Sequence, residues 1–204
     1  MNKHLTKIGL LLACFATIGL KAQEDYSIRD LKAGKFVDDS SYVYDLPFAP
    51  SKKVWLIQAY ESSFSHRGER ALDFKVKKGT AIHAAREGVV IAARSNSKEG
   101  GLKPENFSDG NYISIQHNDG SVAHYWHLDY EGVKVKVGDS VQKGQWIGLS
   151  GNTGYSAFAH LHFEVVGTDA HGKHGQLATR FHTQKGIKYL RPGRFYRNKR
   201  SKKT

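Results

Sequence analysis

The sequence predicts a mainly β, antiparallel domain with glycine-rich turns and few helices. Three observations predict it. The 204 residues include 21 glycines, about one in ten, against a usual share of ~7%. Ten Tyr, ten Phe and three Trp add residues that favour pleated surfaces. No stretch of twelve or more residues carries a sustained apolar stripe at i, i+3, i+4, i+7 spacing. With 39% apolar and 25% charged residues, the chain can build one packed core and is not globally disordered.

Residues 1–22 read as an export signal. MNKHLTK is a basic leader, and IGLLLACFATIGL is an apolar run too short for a stable bilayer span. Ala22 is the small residue that signal cleavage before Gln23 requires. A second reading is a lipoprotein anchored through Cys14, although the apolar run continues past that cysteine. Both place the domain outside the cytoplasm: periplasm, cell envelope or medium. After ordinary cleavage no transmembrane anchor is expected. Cys14 is the single cysteine, which excludes an intrachain disulfide or a cysteine zinc site.

Residues 23–53 form an extended lead-in, and from Val54 the pattern turns to strands. VWLIQAY, ALDFKV, AIHAA, GVVIAA, YISIQH, VAHYWHL, VKV, WIGLS and LHFEVV are short apolar or alternating runs separated by Gly, Asp and Asn. Val76–Ile82 and Val135–Val141 share one order of apolar, Lys, Gly and small residues, as two similar hairpin turns would. Residues 95–110 form a long polar, Gly-rich insert of the kind that is either mobile or functional. A core over 54–166, a packed C-terminal extension over 167–193 and a basic tail over 194–204 complete the expected organisation.

The formal charge of +12 sits mostly at the ends. Residues 1–22 hold three Lys, and the last fourteen residues hold seven Lys or Arg, with no acid in either segment. The remainder has 21 basic against 19 acidic residues, so its charge is only +2. That distribution argues against nucleic-acid binding. It leaves the tail as a solvated end or as an attachment to an anionic envelope surface.

The chemistry lies in the histidines, 11 of 204 residues. In HLHFEV, alternation puts His160, His162 and Glu164 on one face and Leu161, Phe163 and Val165 in the core. In AHYWHL, strict alternation puts His127 with Tyr125 and Ala123. In HRGERALDF, His66 ends a loop, and Asp73 lies between Leu72 and Phe74, facing away from them. Two histidines and one aspartate make a three-ligand zinc set with a fourth position open for water. No HExxH is present, which excludes the glutamate-based zincin arrangement. His83, His117, His124, His171, His174 and His182 read as ordinary surface or core histidines.

Together these segments resemble the lysostaphin-type zinc peptidases, family M23, also called the LytM domain. The resemblance covers roughly residues 54–166. It is carried by His66…Asp73, KKGTAIHAAREGVV, NYISIQHNDG, His127 in YWHL, and VKVGDSVQKGQWIGLSGNTGYSAFAHLHFEV. It implies an antiparallel β domain with a cleft floored by these strands. It implies one Zn2+ held by His66, Asp73 and His162, with His127 and His160 as catalytic histidines that do not ligate. Glu164 would support an imidazole by hydrogen bonding, and Tyr60 would help an oxyanion or simply pack. The implied substrate is a peptidoglycan peptide, in a stem cross-link or an interpeptide bridge. The sequence departs from the family pattern twice. His66 and Asp73 are separated by six residues where H-x-x-x-D is usual, and SAFAHLH replaces the usual Gly-Pro turn. The alternative is a non-catalytic LytM-like wall-binding protein that regulates another hydrolase; the five intact positions argue against it. A lipoyl or biotinyl carrier would need a lysine at a hairpin tip in an EAMKM-like setting, which is absent.

Overall fold

A computed structural model describes residues 42–62 and 64–198. The expected export signal, Cys14, most of the lead-in and the tail from 199 onward lie outside the described residues. Among the described residues no helix is long and apolar enough to cross a membrane.

The architecture is the expected mainly β one. An eleven-stranded sheet dominates, joined by a three-stranded and a two-stranded sheet. Its central path runs from the edge strand Arg194–Tyr196 through Val54–Gln58, Ala71–Lys75, His160–Thr168, Val122–Val133, Asn111–Gln116 and Gly88–Arg94 to Ser140–Val141. All pairings along this path are antiparallel. The described helical structure is one 3-10 segment, Pro104–Asp109.

Alternation decides which face is buried. Leu56, Leu72, Phe74, Ile113, Ile115, Tyr125, Leu161, Phe163 and Val165 enter one contiguous core. The opposite face of the same strands is left open to solvent and carries the polar residues. The two hairpin-like repeats are tight turns, each with a glycine in the left-handed region: Gly79 at φ +78° and Gly138 at φ +94°.

The segments flanking the core take more structure than the sequence suggests. The lead-in is not merely extended: Val43–Asp45 pairs in parallel with Arg180–Thr183, and Tyr44, Leu46 and Phe48 are buried core residues. The tail does not begin at 194, because Arg194–Tyr196 pairs with Val54–Leu56 in the main sheet. Next to it, buried Asn198 accepts from the Leu46 amide and donates to the Leu46 and Phe48 carbonyls, at 2.7–2.9 Å. Asn198 thus ties the segment after the last strand to the Leu46–Phe48 backbone. The insert over 95–110 is also ordered. It contains the 3-10 segment, and Gly100–Gly101 pairs with Gly154–Tyr155.

Candidate active site

Strand register builds the site on the open face. One cross-strand row reads Gln58, Asp73, His162, Trp126, Tyr112, Arg94. The row beside it contains Phe195, Trp55, Lys75 and His160. Directly paired residues in adjacent strands point the same way, so Asp73 and His162 meet without any loop to position them.

His66 arrives from the loop that departs from the family spacing. Its amide donates to the Ser62 carbonyl, and the Glu61 amide donates to the Glu69 carbonyl, closing the loop. The longer spacing therefore still delivers the side chain, which is buried at 2% exposure. Nδ1 of His66 lies 3.0 Å from the Ala71 carbonyl oxygen, which puts the ring proton on Nδ1. Nε2 then faces Asp73 Oδ2 at 3.2 Å. A lone pair facing a carboxylate is repelled unless a proton or a cation lies between them. His162 Nδ1 is 2.9 Å from Asp73 Oδ1. Ligand atoms of His66, Asp73 and His162 all lie within 4.8 Å of one another. Two imidazole nitrogens and a carboxylate oxygen suit zinc, so the residues present fit that ion.

Charge follows the same geometry. Burial alone would raise the Asp73 pKa. Hydrogen bonds from His162 and His66 outweigh it and hold the carboxyl well below the usual carboxylate range. Burial pushes His66 down, but the bond to Asp73 and its charge leave the ring above its ordinary value. The acid is thus ionised, and His66 holds a proton that a metal ion would displace. Gln58 Nε2 also donates to Asp73 Oδ2 at 2.8 Å, fixing the carboxylate plane.

His127 and His160 stand beside this cluster. Their ring centroids are 4.6 Å apart, and His127 is 5.9 Å from His162. His127 Nδ1 is 2.7 Å from the Thr153 carbonyl oxygen, and His160 Nδ1 is 2.8 Å from that of Phe158. Each Nδ1 carries the proton, so each Nε2 presents a lone pair. His160 Nε2 lies 3.7 Å from Asp73 Oδ1. Burial lowers the pKa of both. For His127, the nearby His160 and His162 add to it, and the value is pushed down to about 3.

His127 does not reach the site by strict alternation. Ala123 and Tyr125, its expected face-mates, are wholly buried in the core. The register between Asn111–Gln116 and Val122–Val133 slips here: Tyr112 pairs with Trp126, but Asn111 pairs with Leu128. His127 is the extra residue, at φ +61°. This bulge returns its side chain to the open face while Leu128 stays in the core. Buried Asn111 braces the bulge, donating from Nδ2 to the Ser97 and Asp129 carbonyls. Gly154 makes the brace fit, because a Cβ there would lie 2.7 Å from Gly110 Cα.

The two remaining candidates have the following partners. The Tyr60 hydroxyl hydrogen-bonds with Thr179 and accepts from its amide. Glu164 accepts from Gln176 Nε2 and pairs across the strand with His124. Sequence reading missed Gln58, because alternation along VWLIQ assigns it to the core face with Val54 and Leu56. A register shift between Leu56 and Gln58 turns it to Asp73.

Residues 67–174, more than half of the chain, match the sequence model of Peptidase family M23. An uncharacterized metalloprotease of Buchnera aphidicola is 41% identical over 100 residues, 49% of this chain and 23% of that protein. Glycyl-glycine endopeptidase ALE-1 of Staphylococcus capitis is 39% identical over 113 residues, 55% and 28% of the two chains. Peptidoglycan DD-endopeptidase ShyA of Vibrio cholerae is 37% identical over 94 residues, 46% and 19% of the two chains. This chain spans about a quarter of the length of these relatives.

Proposed function

This chain belongs to peptidase family M23, and from that premise we propose that it is an exported zinc metalloendopeptidase that hydrolyses peptide bonds of bacterial peptidoglycan. The observation that carries the proposal is the convergence of two sets of side chains. His66, Asp73 and His162 bring their ligand atoms together, while His127 and His160 stand beside them with Nδ1 bonded to backbone carbonyls, which leaves each Nε2 as the proton acceptor. The similarity to a glycyl-glycine endopeptidase and a peptidoglycan DD-endopeptidase supports a peptide of the cell wall as substrate.

In this reading His66, Asp73 and His162 would hold Zn2+. When bound, it supplies a Lewis acid and an acidified water. His127 or His160 takes the proton of the attacking water at Nε2, since both rings are held neutral by burial. The protonated ring then stabilises the developing oxyanion together with the second imidazole, and its proton passes to the leaving amine nitrogen as the C–N bond breaks. The Thr153 and Phe158 carbonyls fix both tautomers, so no ring has to flip before proton transfer. The basic run from 199 onward attracts the enzyme to anionic envelope polymer at low salt.

The test is digestion of purified peptidoglycans of known cross-link chemistry, with products identified by mass. New amine termini at a cross-link or stem bond are expected, lost on chelation and restored by zinc. Intact wall material and unchanged muropeptide masses in the zinc-loaded protein would refute the proposal.

A further inference from the structure

We infer that the active face extends to the sheet edge as a saccharide-binding platform, formed by Trp55 and Phe195 and continued by Lys75 to His160. The inference rests on the peptidoglycan reading above and names which part of that polymer the protein holds. The first observation is register: Phe195 pairs with Trp55, Trp55 with Lys75, and Lys75 with His160. Four consecutive strands thus put these side chains in one row on one face. At strand spacing the row spans about 14 Å, the reach of about four extended residues. A polymer cut beside His160 can therefore reach the platform with the part that bears the peptide.

The second observation is what the row exposes. Trp55 is 42% exposed and Phe195 55%, and their rings stack at 6.2 Å with 29° between planes. Lys53 Nζ lies 4.5 Å from the centre of the Phe195 ring. Nearer the site, Lys75 Nζ lies 3.9 Å from the centre of the Phe158 ring, which is 41% exposed and 5.6 Å from the His160 ring. Large aromatic rings kept at a surface in one contiguous row mark a binding site. Here they sit at a sheet face, with ammonium groups over the Phe195 and Phe158 rings and the Trp55 ring beside them partly exposed. A pyranose offers the matching chemistry: an apolar C–H face for the rings, and hydroxyl and carboxylate oxygens for the ammonium donors. The occupant is therefore the glycan strand that carries the peptide. Trp55 and Phe195 both lie outside the stretch that matches the family, residues 67–174.

The test uses the full mature chain and two variants, Trp55→Thr and Phe195→Thr, which keep strand propensity. Three readouts are compared: hydrolysis of intact peptidoglycan, hydrolysis of a soluble cross-linked peptide without sugars, and anisotropy of fluorescent peptide-free glycan strands. Expected are a loss of about tenfold on intact peptidoglycan and in glycan affinity, the scale of one aromatic contact, with the soluble peptide cut at the wild-type rate. That last rate also shows that the variants fold. Equal losses on both substrates, or no loss on either, would overturn the platform. So would variants that lose binding to anionic phospholipid vesicles while binding glycan as the wild type does. If the wild-type protein cuts neither substrate, the peptidase reading fails, and glycan affinity alone decides the platform: a loss in the variants upholds it, unchanged affinity overturns it.

Discussion

Replacing His127 by Ala and by Gly separates its place as a backbone in a bulge from its proposed role as a catalytic imidazole. Both variants leave the Thr153 carbonyl without the donor that lies 2.7 Å away, at a cost of about 1–3 kcal/mol. The two then diverge. At φ +61° a Cβ crowds the following carbonyl oxygen, so Ala carries about 1 kcal/mol of strain that Gly does not. In a regular strand Ala is the more stable of the two; here Gly is expected to be, with a melting temperature higher by about 2–4 °C. Hydrolysis should not follow that order. Both variants lack the imidazole and should fall by about 10²–10³ in kcat, while still holding close to stoichiometric zinc. Thermal unfolding, elemental analysis and hydrolysis of a defined cross-linked peptide supply the three measurements. Ala above Gly in stability would refute the bulge. A variant keeping more than about a tenth of the rate would refute the proton-transfer role. A well-folded variant without metal would make His127 a ligand.

Asp73→Asn removes the charge that both His66 and His162 face, and should lower bound zinc and activity together; elemental analysis showing full zinc would refute the ligand set. Zinc uptake should expel a proton, because Asp73 holds the metal-free His66 pKa above its ordinary value despite burial. Binding should therefore weaken as pH falls below that raised pKa and approach a plateau above it; calorimetry at pH 6 in two buffers of different ionisation enthalpy should report the proton, and buffer-independent heats would refute it. Asn198→Ala should cost about 1–3 kcal/mol in denaturant unfolding, since it strips the Leu46 and Phe48 backbone of buried partners, and should leave kcat unchanged; unaltered stability would remove the clamp between Asn198 and the Leu46–Phe48 segment.

The sequence by itself determined whatever depends on period two and on residue type. HLHFEV could only put His160 and His162 on one face, because Leu161, Phe163 and Val165 had to be buried. ALDFK could only turn Asp73 away from Leu72 and Phe74. The glycine turns and absent helical stripe were enough for a mainly β domain. The identity of the nitrogen and oxygen donors was enough for a zinc-type ligand set. Tertiary structure decided what period two gets wrong. His127 and Gln58 both break alternation at register slips, and a slip depends on the partner strand, which no local pattern contains. The lead-in and residues 194–198 looked like flanking segments because three-residue strands and a single buried asparagine leave almost no periodic trace. Their place in the core depends on contacts about 150 positions away along the chain. The row from Phe195 to His160 belongs to the same class: four residues from four strands share a face only because the strands pair in that register.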